Sequence, residues 1–326
     1  MVETLTFHFE GALADAHRMN FYEAARFQYA AARLMVKLAQ FRQSGRFVQK
    51  ISNKSNFDVQ LKSQSDGSFN INVEDMGNSD AEGDFVNISI SDLISFVSER
   101  VIEKIDETTL KGATSSATSQ SISGSSSLPI PISAIDRLAD DVMSGRVAVE
   151  GLPSSVRDLV RRRVAEAHRE QRMEISKAAI SRIDFARSQK LVAMSAPLIS
   201  EMATALRKSA NTLEVRSSAR DDISSVLFLD QKMAQEIETA IVDEEISPVL
   251  GDVIQFNKDN GWGKLKAENG LGIISFSIPY DILPKMRKSL IDSMNKDMIF
   301  LQTYFVRNRG GDVVRLIAVG VLPAPI

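Results

Sequence analysis

The sequence contains no cysteine, and this absence excludes disulfide bonds, thiol nucleophiles and cysteine-based zinc sites. Only three histidines are present. Nothing in the sequence places a carboxylate or hydroxyl beside His8 or His17, and His168 lies among Arg and Glu on a predicted helix. A chain of 326 residues can bury a large core without cross-links. We therefore expect a cytoplasmic protein of about two or three domains.

Long apolar runs are also missing. No segment approaches the roughly 20 apolar residues of a membrane span, and the start, MVETLTFHFEG, lacks the features of a signal peptide. Walker, dinucleotide-binding and G-x-S-x-G motifs do not occur. The sequence therefore predicts no membrane association, no metal site and no cofactor. It favours a non-enzymatic protein, and an enzyme with a carboxylate-based site is retained as an alternative.

The N-terminal segment has the pattern of an α+β domain over residues 1–110. ETLTFHF alternates as a strand does, and residues 20–43 follow helical spacing behind Asn20, a good N-cap. Two alternating runs flank Asp66-Gly67, which predicts a hairpin over residues 57–73. An amphipathic helix is predicted at residues 91–105.

Residues 112–127, GATSSATSQSISGSSS, carry no charge and few apolar side chains. Such a composition cannot bury enough surface to order itself, so residues 111–131 are predicted to be a flexible linker. Residues 132–247 follow as a mainly helical region, with two short strands at residues 212–229. From residue 154 no glycine or proline occurs before Pro197, which indicates a long helix. Its apolar stripe needs a bundle or a second copy of the chain, so we expect an oligomer.

Two clusters of arginine invite a ligand-binding interpretation. Arg161, Arg162 and Arg163 could bind phosphate, but acidic residues at helical spacing favour a helix with internal ion pairs. In the first long helix, aromatic and arginine side chains alternate in a way that suits stacking on a base or small ligand. The alternative, which we favour, is that the aromatics are core and the arginines surround it. This second group comprises Phe27, Tyr29, Phe41 and Phe47 with Arg26, Arg33, Arg42 and Arg46.

The C-terminal segment predicts five short strands with one helix after the third, which is the plan of a small five-stranded β-barrel over residues 248–326. This segment carries 10 basic and 7 acidic residues, although the chain as a whole has a net charge of −3. The expected fold class is thus a multidomain α+β protein, with an N-terminal α+β domain, a helical middle and a C-terminal barrel.

GDVIQFNKDNGWGKL resembles the opening of cold-shock domains, a branch of the OB-fold family. ISFS (274–277) and VRLIAV (314–319) resemble the third and last strands of that family. The resemblance implies an OB-like barrel whose aromatic side chains stack on single-stranded bases. Lys264 and Ser275 stand where the family has an aromatic residue and a histidine, which removes two stacking positions. The matching residues are Gly251, Val253, Phe256, Asn257, Gly261, Trp262 and Gly263.

Two functions remain open. The first is an interaction or regulatory protein that assembles with itself or with a protein partner through its helical middle and small barrel. The second is binding of single-stranded RNA or DNA by the barrel. The residues that would form this nucleic-acid interface are Phe256, Lys258, Trp262, Lys264, Phe276, Arg307 and Arg315.

Overall fold

The computed structural model describes residues 3–48, 50–52, 59–61, 70–75, 83–104, 131–219, 222–239, 241–243, 245–268, 270–294, 298–307 and 311–323. The flexible linker predicted at residues 111–131 lies outside the described residues except for Pro131. The turn predicted at Asp66-Gly67 also lies outside them.

The first sheet joins strands that are far apart in the sequence. Its strands are β1 (Glu3–Glu10), β2 (Val59–Leu61), β3 (Asn70–Asp75), β4 (Thr212–Ala219) and β5 (Asp222–Asp230). They lie in the order β2-β3-β1-β4-β5, and every neighbouring pair is antiparallel. On the central strand β1, Leu5, Phe7 and Phe9 are buried and alternate with less buried polar residues.

Seven α-helices and three 3-10 turns surround this sheet in the part of the chain that the structure describes. The helices are α1 (Phe21–Ser44), α2 (Ile90–Val101), α3 (Ile132–Met143), α4 (Ser154–Ile175), α5 (Lys177–Ile180), α6 (Phe185–Ala203) and α7 (Gln231–Thr239), and the 3-10 turns are Ala14–Ala16, Val149–Gly151 and Thr204–Leu206. The side chain of Asn20 caps α1 by accepting the N–H groups of Tyr22 and Glu23, as its sequence position predicts.

One hydrophobic core runs through both of the first two predicted regions. Phe7 and Phe27 belong to the same cluster of buried residues as Leu191 and Leu227. The reason is strand pairing: β4 and β5 come from the region expected to be helical, yet they extend the sheet that β1 and β3 begin. The regions at 1–110 and 132–247 thus share one sheet and one core. They are called the head below.

The long helix predicted from residue 154 is divided. α4 ends at Ile175, and α6 begins after Asp184, whose carboxylate accepts the N–H of Arg187. The apolar stripe of α4 is covered within the chain, since Val160 and Val164 pack with residues of α3. No second copy of the chain is therefore needed to cover this stripe.

The C-terminal region forms a closed five-stranded barrel. Its strands are β7 (Ser247–Phe256), β8 (Trp262–Ala267), β9 (Gly272–Ser277), β10 (Ile299–Arg307) and β11 (Val313–Pro323). They run in the order β11-β9-β8-β7-β10, and β10 pairs with β11 to close the barrel. A helix, α8 (Leu283–Ser293), joins the third and fourth barrel strands, and a short strand, β6 (Ile241–Val242), pairs with β10. A barrel with one helix in this place was predicted, and the strand pairing confirms it.

None of the helices in the described ranges has both the length and the hydropathy needed to cross a lipid bilayer.

Candidate functional site

The strand β8 presents its side chains alternately to the inside and the outside of the barrel. Leu265 and Ala267 belong to the barrel core, so Gly263 also lies on the inner side. Trp262, Lys264 and Lys266 therefore lie on the outer side. This alternation separates the predicted nucleic-acid residues into two groups that do not share one surface.

Phe256 and Phe276 belong to the inner group. Their rings stack with centroids 6.3 Å apart and an interplanar angle of 13°. Phe276 is fully buried in the barrel core, and Phe256 is half-buried against it. The pair thus fills the barrel, and Phe276 offers no surface to a nucleic-acid base.

Trp262 is on the outer side of the barrel, yet only 3% of its surface is exposed. Other parts of the chain therefore cover it. The ammonium of Lys264 lies 5.4 Å from the centre of its ring. Lys104, three residues after the end of α2, donates to the carbonyl oxygens of Asn260 at 2.5 Å and Ile278 at 3.3 Å. These carbonyls flank Trp262 and its strand partner Ser277, so the tryptophan lies where the end of α2 meets the barrel.

The two arginines predicted for the same interface are engaged elsewhere. Arg315 is buried, and its Nη2 donates to the carbonyl oxygen of Val101 at 2.5 Å. Burial lowers the pKa of its guanidinium from the ordinary value. Arg307 is half-exposed and binds both carboxylate oxygens of Asp243 at 3.0 Å. Arg315 therefore connects the barrel to α2 of the head, and Arg307 connects β10 to Asp243, the residue after β6.

Three lysines lie on the outer face of β8 or in the turn before it. Lys258 is exposed in the turn before β8, and Lys266 is exposed beside the half-buried Lys264. Asp252 stands opposite Lys266, and the exposed Ile273 stands opposite it on the other side. This surface is basic and partly apolar, and it carries no exposed aromatic side chain among its described residues.

A buried charge network joins α2 to α4 and to the barrel. Glu99 pairs with Lys104 at 2.6 Å and with Arg169 at 3.5 Å. Burial raises the pKa of Glu99, but the charges of Lys104 and Arg169 outweigh burial, so the pKa lies below its ordinary value. Arg100 pairs with Asp281 of the barrel at 2.7 Å. No local pattern in the sequence indicates this network, because its members meet only after folding.

The arginines of α4 make the ion pairs that the sequence favoured. Arg162 pairs with Glu166 at 3.7 Å, and Arg163 pairs with Asp136 at 2.8 Å and with Glu170 at 3.5 Å. The predicted ion pairs within the helix are present for Arg162 and Arg163, whereas Arg161 pairs with Glu10 of β1. The guanidinium groups of this cluster are held by carboxylates of the same chain.

The first helix carries the most exposed aromatic surface in the described chain. Phe21 is 89% exposed, Tyr22 68% and Tyr29 62%. Phe27 and Phe41, which the sequence grouped with Tyr29, are buried in the core. The favoured interpretation of the group as core is thus right for these two rings and wrong for Tyr29.

Tyr22, Arg26, Tyr29 and Arg33 form one stripe, because residues separated by three and four positions share a face of a helix. The Arg26 guanidinium lies 5.7 Å from the centre of the Tyr22 ring, and that of Arg33 lies 5.2 Å from the Tyr29 ring. Glu201 of α6 contacts Arg26 at 3.3 Å and Arg33 at 4.0 Å. We call this stripe, together with Phe21, the α1 face. Its spacing is visible in the sequence, but its exposure is not.

The described ranges contain few groups suited to metal binding or to acid–base catalysis. No group of three or more carboxylate or histidine side chains there could hold a metal ion. His8 contacts Asn70, and His168 accepts the backbone N–H of Ser225. Burial raises the pKa of Asp158, against the effect of Arg161, and Asp230 and Glu10 raise it further. Burial also raises the pKa of Glu170 and of Glu236, and acidic neighbours raise both further. These carboxylates are what the described chain offers toward the carboxylate-based site left open by the sequence.

A scan against protein-family models, a search of curated proteins and a search of solved structures each found no match to this chain.

Proposed function

We propose that this chain is a non-enzymatic interaction protein and that it binds a protein partner, either a second copy of itself or another chain, through the α1 face. The observation that carries the proposal is the set of three exposed aromatic rings on one helix, two of them beside arginines. Tyrosine and arginine dominate the binding energy of protein interfaces, because each gives a large contact area together with hydrogen bonds.

The arrangement of the α1 face supports binding because its side chains are already ordered. Glu201 contacts both guanidinium groups, and each guanidinium lies beside a tyrosine ring. A surface that is fixed before binding loses less conformational entropy when the partner arrives. The helical middle was the first candidate for assembly, but its apolar stripe is covered by α3, so the α1 face takes its place in the proposal.

Light scattering over a concentration series tests self-association first. A mass above 35.9 kDa that returns to 35.9 kDa in the double variant Tyr22→Ala/Tyr29→Ala supports a second copy as the partner. The control is Ile273→Ala, which removes a side chain of similar exposure, 63%, from the barrel. Both variants should unfold at the wild-type denaturant concentration, since exposed side chains contribute little to stability.

A photo-crosslinking residue at Ala25, in the middle of the α1 face, tests for a different partner. The proposal predicts one defined crosslinked species that disappears in the tyrosine double variant. The same crosslinker placed at residue 273 should not give it. A monomeric chain that forms no such species would rule out the α1 face as a docking surface.

The second candidate function is binding of single-stranded nucleic acid by the barrel. The closed barrel with a helix between its third and fourth strands supports an OB-like assignment, and such barrels bind oligonucleotides on the face of their second and third strands. Here that face carries Lys264 and Lys266, with Lys258 at its edge. With Trp262 and Phe276 buried, affinity would come from phosphate contacts and should fall steeply with salt.

Trp262 gives a direct measurement, since it is the sole tryptophan and Lys264 lies against its ring. Binding of oligo-dT or oligo-U should draw Lys264 toward phosphate and change the fluorescence at low salt. The change should be absent in Lys264→Met. If neither oligonucleotide alters the fluorescence or shifts in a gel, this candidate is removed.

A further inference from the structure

A groove of about 430 Å³ lies between the C-terminal half of α1, the residues that follow it, and α6. It is separate from the barrel, and it begins one helical turn beyond Arg33, where the α1 face ends. We call it the α1–α6 groove. Its lining residues are Lys37, Phe47, Val48, Gln189, Lys190, Ala193 and Met194.

Two ammonium groups border the groove. Lys37 is only 8% exposed, and its Nζ donates to the carbonyl oxygen of Val48 at 2.8 Å. Desolvation by burial lowers the pKa of Lys37, and the charge of Arg33 lowers it further. A nearby anion favours the charged form of a lysine, so a phosphate group in the groove would raise this pKa. Lys190 is exposed at the rim and contacts no carboxylate among the described residues.

The rest of the lining is largely apolar. The ring of Phe47 packs against Phe41 of the core at 5.1 Å, which fixes its position. Met194 and Ala193 lie across from it on α6, and Gln189 adds one amide. A methionine thioether and a phenyl ring together suit a flat, polarisable ring. The volume falls within the range of small-molecule sites, about 300–1,000 Å³.

We propose that the α1–α6 groove binds a small organic phosphate whose body is a flat apolar ring. The phosphate group would meet the ammonium groups of Lys37 and Lys190, and the ring would lie against Phe47 and Met194. Two cations that border one groove match the double negative charge of a phosphate monoester better than the single charge of a carboxylate.

Phenyl phosphate is the probe, and calorimetric titration of the full chain is the measurement. Phenyl phosphate should bind, while phenol and inorganic phosphate, which each offer half of the interaction, should bind about tenfold more weakly or worse. Absence of phenyl phosphate binding would overturn the proposal. Equal affinity for inorganic phosphate would overturn the part that concerns the ring.

Lys190→Glu is the decisive variant because Lys190 is exposed and its replacement leaves the fold intact. It should weaken phenyl phosphate binding by about tenfold or more, since a charge-assisted contact is replaced by repulsion. Lys288→Glu makes the same charge change on exposed residue 288 of α8 and should leave the affinity unchanged. Equal loss in both variants would show a general charge effect and overturn the site. Lys37→Met tests the buried end of the groove in the same titration and should also weaken phenyl phosphate binding.

Discussion

The ring of Phe276 occupies the space that a side chain at residue 263 would need. A β-carbon at Gly263 would lie 2.3 Å from Cζ of that ring and 2.7 Å from the carbonyl oxygen of Gln255. Real β-carbons essentially never come so close to another atom. The glycine after Trp262 therefore allows an aromatic ring to fill the barrel. From the sequence alone, this glycine could equally have allowed a ligand to approach the strand closely.

Gly263→Ala should accordingly destabilise the barrel by about 1–3 kcal/mol, the usual cost of overpacking a core. Urea denaturation followed by Trp262 fluorescence measures it. Gly151→Ala is the control, because a β-carbon there meets nothing within 4 Å. Adding Phe276→Leu should recover part of the loss, and only part, since the Gln255 carbonyl also stands in the way. A fully additive double variant would contradict this account of the contact.

The contact between Lys104 and Glu99 leads to a second prediction. Lys104→Met leaves a buried carboxylate with one cation fewer, and breaking such a pair costs about 3–5 kcal/mol. Because Lys104 also holds the carbonyls of Asn260 and Ile278, the variant should loosen the barrel from the head and shift the Trp262 emission to longer wavelength.

Lys177→Met is the matched control for that experiment. Its ion pair with Glu174 at 3.1 Å has both partners half-exposed or more, and such pairs contribute about 0–1 kcal/mol. If the two methionine variants have the same stability, or if Trp262 emission does not move in Lys104→Met, then Lys104 does not connect head and barrel as described.

Acid should weaken the same network. The pKa of Glu99 in the folded chain lies below its ordinary value of 4.5, because Lys104 and Arg169 outweigh burial. The unfolded chain therefore takes up this proton first as the pH falls. The stabilisation by Glu99 is complete above pH 4.5 and decreases as the pH falls toward the folded value. Glu99→Gln should thus differ most from wild type at neutral pH, and the difference in unfolding free energy should shrink below that value. A difference that grows with acid would contradict the assignment.

The local patterns of the sequence predict much of this fold. The alternation of β1, the cap at Asn20 and the order of strands and helix in the barrel are all set by neighbouring residues. The pairing of β1 with β4 is not, because Phe7 and Val215 are about two hundred positions apart and no local signal links them. For this reason the sequence predicts two separate regions, although both contribute strands to one sheet.

The candidate sites show the same limit. Trp262 and Phe276 are the kinds of residue that stack on bases. The alternation of β8 and β9, however, places Trp262 on the outer side of the barrel and Phe276 in its core, and both rings are buried. The spacing of Tyr22, Arg26, Tyr29 and Arg33 could have indicated a common face. Which face of α1 stays exposed depends on the position of α6, and that is a property of the folded chain.

The hydroxyl of Tyr304 supplies the last prediction. The ring stacks on Phe185 with centroids 5.7 Å apart, and its Oη is buried without a hydrogen-bond partner in the described structure. Burial raises the pKa of Tyr304 to about 12, against a small opposing effect of Arg100. Tyr304→Phe keeps the ring and removes the unsatisfied hydroxyl, so it should preserve or raise the stability, by about 1 kcal/mol.

Alkaline titration distinguishes this explanation from a general effect of the substitution. The unfolded chain ionises this phenol near its ordinary pKa of 10, whereas the folded chain holds the proton to about 12. Wild type therefore loses stability as the pH rises between these values, and Tyr304→Phe avoids that loss. In the tyrosinate absorbance of the four tyrosines, the variant should lack the step at the highest pH. Tyr29→Phe, which changes an exposed ring of α1, should retain that step. Loss of a lower step in Tyr304→Phe would show that its hydroxyl is accessible to water.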